Sequence, residues 1–296
     1  MAAVTPILPG ETAPAGPADG PGPPAGRSRR VRPWRVVVLG AAAVYFLVPM
    51  GASFWFTVHN EEQGFSLSTY AEILTAEGFA ASMLLSLALA AATIAVVLVL
   101  TLPALLAVRL GAPRLRPVLE VVCTLPLVVP PITFVTGIST VLRWGPDYLA
   151  ATPFWATLIA IQDETFPVVL VLAYVVLALP FAYRSLDAGL RAIDVRTLVE
   201  AARNLGASWP HVVLRVIVPN LRSALASASF LTLALVLGEY TVAALLGYQT
   251  FPVWIVTVSG SNGRLSVAVS ILSLLLTWLL LLALSGAGAK RKKDPS

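Results

Sequence analysis

The stretch EAARNLGASWPHVVLRVIVP, residues 200–219, is a polar, helix-forming segment in an otherwise apolar chain. Asp194 stands ahead of it at an N-cap position, and Gly206 stands where a left-handed C-cap is needed. Apolar residues recur between them at three- and four-residue steps, which predicts one face of an amphipathic helix formed by Val195, Leu198, Val199, Ala202 and Leu205. The pattern therefore predicts a helix that ends in a tight turn.

A second short helix is predicted directly after this turn. Ser208 can cap it, and Trp209 and Pro210 fall in its first turn, where proline is tolerated. Pro219 lies just before the next apolar run and marks the entry into it. The predicted order is therefore helix, turn, short helix and then an apolar span.

The composition is that of a membrane protein. Of the 296 residues, 57% are hydrophobic and only 12% are charged, whereas a soluble domain carries about 25% charged residues. The net charge of +5 would also suit a nucleic-acid-binding protein, but the placement of the charges, given below, argues against nucleic acid. Cys123 is the single cysteine, so an internal disulfide and a cysteine-based metal site are both excluded.

Six apolar runs are long enough to predict an all-α integral membrane fold with six transmembrane helices. They cover about residues 36–56, 79–106, 118–142, 166–183, 223–246 and 265–284. The third run contains Pro126, Pro130 and Pro131, and prolines interrupt the hydrogen bonds of a helix. Such a broken helix could line a pathway, or it could be only a packing kink.

Composition also divides the chain into regions. Residues 1–33 open with a Pro-, Gly- and Ala-rich segment and end in an arginine cluster, which predicts a disordered cytoplasmic tail. Residues 34–78 hold the first transmembrane helix and an external loop. Residues 79–285 form the transmembrane core, with the loop 184–222 inside it, and residues 286–296 form a basic cytoplasmic tail.

The lysines and arginines set the predicted orientation. If both ends and the second and fourth loops face the cytoplasm, all of the 20 Lys and Arg residues except Arg143 and Arg264 lie on that side. This positive-inside bias predicts an even number of spans with both termini in the cytoplasm. The basic excess then favours contact with anionic membrane lipid rather than with nucleic acid.

The 200–219 stretch resembles the EAA loop of bacterial ABC importer permeases. That family's fixed positions are matched here by Glu200, Ala201, Ala202, Gly206 and Pro219, while Val216 and Val218 replace the usual Ile and Leu. Residues 64–74, 102–110 and 125–131 also resemble this family, so the similarity covers about residues 65–285. It implies a type I importer permease fold in which the loop is a coupling helix that docks into an ATPase, with Ala207 and Trp209 as further coupling residues.

The resemblance also implies the partners. The chain would be one permease subunit in a bacterial plasma membrane, working with two ATPase subunits, a second permease subunit and an extracytoplasmic substrate-binding protein. It carries no GxxxxGK[ST] phosphate loop, so we expect neither enzymatic activity nor a cofactor. The segments EAARNLGAS and LGEYTVAALLG resemble the spermidine/putrescine branch of the family. Thiamine, ferric iron and aminoalkylphosphonate permeases share these features and stay open as alternatives.

Glu239 is an ionisable residue within the fifth predicted span, past its midpoint and towards the outer side of the membrane. Such a residue costs about 2.5–3.5 kcal/mol on insertion scales and is a functional candidate by default. It is predicted to line the translocation cavity and to contact a cationic substrate, with Tyr240, Pro130 and Pro131 as further pathway candidates. An equally open alternative is a hydrogen bond from Glu239 to the partner permease or to a neighbouring span.

Two other classes of protein remain to be weighed. A stand-alone channel or carrier would need no ATPase, but it leaves the EAA spacing unexplained and would be expected to carry more ionisable or repeated spans. A membrane scaffold without a transport role is the third class. In a purely structural interpretation, Glu200 would only form surface pairs with Arg196 and Arg203 on a solvated helix face.

Overall fold

The computed structural model describes residues 33–60 and 64–289. Residues 1–32 of the predicted N-terminal tail and residues 290–296 of the predicted basic tail lie outside the described residues. Contacts divide the chain into one unit from Met1 to Val48 and another from Pro49 to Ser296. Helix α1 is Pro33–Val58, and in the described part of the first unit its side chains from residue 36 to residue 48 are all exposed.

The second unit begins with short elements. Strands β1 (His59–Asn60) and β2 (Gly64–Phe65) pair antiparallel, with His59 opposite Phe65. Helix α2 (Ser68–Glu72) follows, and a 3₁₀ turn (Ile73–Thr75) leads out of it.

The remaining elements are all helical. The long helices are α3 (Phe79–Leu110), α7 (Val168–Arg191), α11 (Arg222–Gly238) and α14 (Gly263–Ala289). The shorter helices are α4 (Arg116–Thr124), α5 (Pro131–Trp144), α6 (Pro153–Ala160), α8 (Val195–Asn204), α9 (Trp209–His211), α10 (Val218–Asn220), α12 (Thr241–Leu246) and α13 (Phe251–Ser259). Single 3₁₀ or π turns fill some of the junctions, at Pro113–Leu115, Leu125–Leu127, Gly145–Leu149 and Val212–Ile217.

Helices α3, α7 and α11 pack against one another and form the main core. Leu89, Leu170 and Ala228, one from each helix, are completely buried there. The same cluster of buried residues includes Val199 of α8 and Ile217 of the π turn. Buried apolar contacts are the main source of packing energy. The polar segment around residue 200 is therefore anchored to the packed core of α3, α7 and α11.

A smaller apolar cluster joins α13 and α14 to the 3₁₀ turn after α2. Phe251 and Trp254 are buried in it, and the Trp254 Nε1 donates to the Glu77 carbonyl at 2.9 Å. The adjacent Gly78 has φ +78° and lies under the indole ring, so a side chain there would be strained.

The predicted all-α membrane fold is confirmed. Among the described residues, three helical stretches are each long and apolar enough to cross a bilayer, namely Val36–Val58, Phe79–Leu110 and Val168–Arg191. Two bent helix pairs raise the number to five if each pair is one span. The sixth predicted span coincides with α14, whose described apolar part is Gly263–Leu276. The count of six spans stays a prediction.

The third predicted span is not one straight helix. Its two halves, Pro113–Leu127 and Pro131–Leu149, meet at an angle of 98°. The cause lies in the Pro130–Pro131 pair, because neither residue has an N–H group to donate and a residue before proline is driven to extended backbone. Pro130 accordingly has φ −60° and ψ 139° and precedes the first turn of α5.

Two of the stretches that separate the predicted spans contain helices. Residues 143–165, between the third and fourth spans, include α6, and residues 247–264, between the fifth and sixth spans, include α13. The α13 sequence FPVWIVTVS is largely apolar, and burial of Phe251, Val253 and Trp254 stabilises it as a helix. The sequence did not predict α13, because polar residues flank its short apolar segment.

Candidate functional site

Helix α8 begins as the sequence predicts. The Asp194 side chain accepts hydrogen bonds from the Thr197 backbone N–H at 3.2 Å and from the Thr197 hydroxyl at 2.7 Å. These hydrogen bonds lower the pKa of Asp194 because they stabilise its ionised form, and the bond from the Thr197 hydroxyl has the larger effect. The helix therefore has a fixed start at its N-cap.

The turn after α8 also agrees with its prediction. Gly206 has φ +81°, which is the left-handed conformation, and its N–H donates to the Arg203 carbonyl at 2.9 Å. The Ala207 N–H donates to the Ala202 carbonyl at 3.1 Å and completes the turn. Ser208 does precede α9, but its side chain makes no capping hydrogen bond.

The faces of α8 separate anchoring residues from outward ones. Val195 and Val199 are buried and Ala202 is partly buried, so these residues hold the helix to the core. Glu200 and Ala201 face outward and are exposed. The EAA triplet therefore presents a charged and a small residue on the outer face.

Leu205 departs from the predicted apolar face. The Leu205 N–H still donates to the Ala201 carbonyl at 3.2 Å, so the residue continues the last turn of the helix, but its side chain is 89% exposed. An open cavity of about 490 Å³ lies beside this leucine and the Gly206 turn, bordered also by Ser208 and His211. Sequence reasoning placed Leu205 on the buried face and so missed an exposed apolar group at the tip of the segment.

Arg203 contacts two residues that follow the turn, Ala207 and Trp209. Its Nη1 donates to the Ala207 carbonyl at 3.0 Å, and its guanidinium carbon lies 5.9 Å from the centre of the Trp209 ring. Trp209 is 49% exposed and borders a second, largely apolar cavity of about 470 Å³ together with Leu106 and Leu110 of α3. We call residues 194–209 the coupling tip, after the coupling role that the sequence predicts for them.

The predicted surface pairs of Glu200 are formed only in part. The Arg196 Nε lies 3.8 Å from Glu200 Oε1, and both side chains are about 70% exposed (72% and 67%). Arg203 contacts Trp209 and the Ala207 carbonyl, as described. An exposed pair at this separation contributes about 0.2–0.5 kcal/mol, so fold stability does not require a glutamate at position 200.

Pro219 lies at the junction between the coupling tip and the next long helix. It is exposed within α10, whereas Ile217 and Leu221 on either side are buried. The segment Trp209–Asn220 meets α11 at 80°. The Leu221 N–H donates to the Ile217 carbonyl at 3.0 Å, so the bend is a hydrogen-bonded corner.

Sequence reasoning missed an ionic cluster around Asp187, near the end of α7. Arg109 Nη2 lies 2.6 Å from Asp187 Oδ1, and Arg191 Nε donates to Asp187 Oδ2 at 2.8 Å. Arg109 Nη1 also donates to the Leu190 carbonyl at 2.8 Å. Arg116 lies 3.6 Å from the same carboxylate. The available signal was the RSLDAGLR segment, where one acid stands within one turn of two arginines.

The pathway candidates lie at or just before the starts of two helices that touch, α5 and α12. Glu239 follows α11 in extended backbone, with ψ 108°, and its Oε2 accepts the Val242 N–H of α12 at 2.8 Å. Tyr240 is exposed beside it. Helix α12 packs against α5, which starts at Pro131 after the exposed Pro130. The predicted continuous fifth span thus breaks at Glu239, because this carboxylate accepts a hydrogen bond from the start of the next helix.

Comparison with known proteins identifies the class. Residues 100–291 match the family model described as binding-protein-dependent transport system inner membrane component. The match covers well over half of the chain, so the protein belongs to this family of membrane permease subunits, and the predicted resemblance is confirmed.

Curated relatives carry a more specific name. The putrescine transport system permease protein PotI of Escherichia coli K12 is 27% identical over 229 residues, covering 74% of this chain and 78% of the relative. PotI of Escherichia coli O6:H1 matches with the same identity and coverage. Both alignments agree with the predicted similarity to the spermidine/putrescine branch of the ABC importers.

Proposed function

We propose that this chain couples ATP hydrolysis in a separate subunit to solute import, through the coupling tip. The observation that carries the proposal is Leu205, which is 89% exposed at the end of a helix whose Val195 and Val199 are buried in the core. An exposed leucine on a rigid, core-anchored tip suits insertion into an apolar cleft of a partner. Glu200, Ala201, Ala202, Gly206, Ala207, Trp209 and Pro219 form its surroundings and its link to α11.

The proposed partners follow from this assignment. Two ATPase subunits engage the coupling tips of two permease subunits, and an extracytoplasmic binding protein delivers the solute. Both termini and the coupling tip face the cytoplasm, which the distribution of Lys and Arg supports. Movement of the tip is transmitted through the corner at Pro219 to α11, and through Val199 to the core. The spans then alternate between outward-open and inward-open arrangements.

The proposed pathway runs along the contact between α5 and α12. Pro130 and Pro131 break the chain before α5, and Glu239 and Tyr240 lie in the break before α12. Helix breaks of this kind are typical of sites that handle solutes in transporters. One Glu239 oxygen accepts the Val242 N–H, and the carboxylate as a whole supplies the negative charge that a cation would meet.

We further propose a polyamine as the solute. The support is the name of the relatives, which are putrescine permeases at 27% identity, together with the acidic Glu239 in the proposed pathway. Thiamine, ferric iron and an aminoalkylphosphonate are the alternatives to be tested beside it.

Two assays test this function. The first purifies the chain together with the ATPase co-expressed from neighbouring reading frames, in the wild type and in the Glu200→Arg and Gly206→Leu variants. We expect the ATPase to be recovered with the wild type and to be lost from both variants, and equal recovery from all three would refute the coupling role. The second measures uptake of radiolabelled putrescine, spermidine, thiamine, ferric iron and 2-aminoethylphosphonate by cells that express the whole transporter. If the cells take up neither polyamine, the substrate assignment is refuted, but the coupling role is not.

A further inference from the structure

Two helix turns join the coupling tip to the core. The chain leaves the core through α7, whose turn at residues 187–190 precedes the tip, and it returns through the first turn of α11, which begins at Arg222. The coupling tip and the corner at Pro219 both lie between these two turns. The two turns are therefore the base of the segment that carries the tip.

This base is closed by a contact between Gly189 of α7 and Ala224 of α11. A Cβ placed on Gly189 would lie 2.3 Å from the Ala224 Cβ and 3.3 Å from Leu221 Cδ2. Cβ atoms in proteins essentially never approach other atoms within 3.0 Å. The two helices thus cross at a separation that requires a glycine at position 189. Leu221 is 1% exposed, so the crossing is part of the packed interior.

Helix α3 contacts the same turn of α7 through Arg109. The Arg109 Nη1 donates to the Leu190 carbonyl at 2.8 Å, and Nη2 donates to the Asp187 carbonyl at 2.9 Å. The Leu190 carbonyl is among the last four of its helix, which have no partner within the helix, so Arg109 supplies one. Hydrogen bonds and the Asp187 ion pair therefore bind this turn to α3, while close packing binds it to α11.

The connection from α7 into the coupling tip is short. Only residues 192–194 separate α7 from α8, and Ile193 among them packs against the main core. The Ala192 N–H donates to the Gly189 carbonyl at 3.1 Å. A short, packed and hydrogen-bonded connection leaves little freedom for α8 to swing while α7 stays in place.

We propose that residues 187–190 and the first turn of α11 form a clamp, and that Gly189 is its positioning residue. The clamp makes α7 and α11 move as one body with the coupling tip, because close-packed contacts transmit a displacement instead of absorbing it. Gly189 acts through its lack of a side chain, since any added atom would separate the two helices. This inference rests on the proposed coupling role and adds the point at which the tip is joined to the spans.

The test compares three variants of the whole transporter, reconstituted in liposomes with its ATPase. Gly189→Ala overfills the crossing, Ala224→Gly opens it, and the double variant moves the methyl group from α11 to α7. The control is Gly51→Ala, because Gly51 is an exposed glycine of helix α1 whose added Cβ would meet nothing within 4 Å. Ala224→Gly keeps the test possible if Gly189→Ala does not assemble.

The measured quantity is the number of solute molecules imported per ATP hydrolysed. Radiolabelled putrescine is the probe, or another solute from the assay above if the wild type imports that one instead. A substitution that only destabilises the fold lowers the amount of assembled transporter but leaves this ratio as it is. The ratio therefore separates a positioning role from a purely structural one.

We expect Gly189→Ala to lower the ratio about fivefold and Ala224→Gly about two- to threefold, as for changes along a coupling route. The double variant and the Gly51→Ala control should stay within about twofold of the wild type. Recovery of the ATPase should also stay within about twofold in every variant, because the coupling tip itself is unaltered.

Two results would overturn this inference alone. One is a wild-type ratio in every single variant that assembles, and the other is a double variant that couples no better than Gly189→Ala. A wild type that binds no ATPase would instead refute the proposed function, and this inference with it.

Discussion

The guanidinium of Arg109 and the carboxylate of Asp187 form a largely buried ion pair that joins the end of α3 to the end of α7, with Nη2 and Oδ1 2.6 Å apart. The side chains are 21% and 8% exposed. The pair lies only a few residues before the coupling tip begins at Asp194. It fixes the starting point of that tip relative to the two central helices.

Removal of this carboxylate is predicted to destabilise the fold. Asp187→Ala leaves Arg109 without its ionic partner in a largely buried position, which should lower the free energy of unfolding by about 2–4 kcal/mol. Thermal unfolding in detergent measures the change. Glu200→Ala is the matched control, because its pair with Arg196 is exposed and should contribute about 0.2–0.5 kcal/mol at most. Equal melting temperatures for both variants would contradict a structural role for Asp187.

Gly206→Ala is predicted to strain the turn without a steric clash. A Cβ at this position would meet nothing within 4 Å, but φ is +81°, and the left-handed conformation costs an alanine about 1–2 kcal/mol. We expect a folded protein whose stimulation of ATP hydrolysis by substrate is reduced. Gly137→Ala is the control, since Gly137 also has open space but lies within helix α5. An unaltered ATPase response in Gly206→Ala would indicate that the turn conformation is unimportant for coupling.

Leu205 is predicted to contribute to partner binding rather than to folding. Because its side chain is 89% exposed, Leu205→Ser should change the free energy of unfolding by less than about 0.5 kcal/mol. Recovery of the ATPase subunit should nevertheless fall at least tenfold, as for a central apolar anchor of an interface. Leu74→Ser removes a leucine that is 77% exposed on the predicted external side and should leave recovery unchanged. Similar recovery from the two variants would argue against Leu205 as an anchor.

Two substitutions at Glu239 separate its charge from its hydrogen bond. Glu239→Gln keeps an acceptor for the Val242 N–H but removes the negative charge, whereas Glu239→Ala removes both. If the carboxylate meets a cationic solute, Glu239→Gln should lower polyamine uptake about tenfold with little change in stability, because a charged partner is lost. Glu239→Ala should in addition lower the melting temperature, as the loss of about 1 kcal/mol of capping energy predicts. If Glu239→Gln takes up polyamine at the wild-type rate, the carboxylate does not bind the solute and Glu239 has a purely structural role.

Local signals predicted much of the coupling tip. Asp194 and Gly206 could be placed from the sequence, because a cap and a left-handed turn each depend on a single residue type and a few neighbours. The exposure of Leu205 could not be predicted, since apolar periodicity gives the direction of a side chain along a helix but not whether a packing partner lies there. Leu205 keeps the helical hydrogen bond to the Ala201 carbonyl and is nevertheless 89% exposed.

The ionic cluster and the helix breaks required the fold. Arg191 could be paired with Asp187 from its spacing along one helix, but Arg109 is 78 residues away in sequence and meets Asp187 only because α3 packs on α7. Hydropathy also extended the fifth span through Glu239, where the backbone leaves the helix. Window averages do not register a single carboxylate that accepts the N–H of the next helix.

The most direct test of the coupling tip is its accessibility from each side of the membrane. A single cysteine at the tip, Asn204→Cys in a Cys123→Ser background, leaves Leu205 in place at an exposed neighbouring position. This variant is treated with a membrane-impermeant thiol reagent in intact cells and in inside-out vesicles, with and without the ATPase subunits. The account predicts labelling only in the vesicles, and protection from the reagent when the ATPase is bound. Labelling in intact cells, or equal labelling of the vesicles with and without the ATPase, would contradict it.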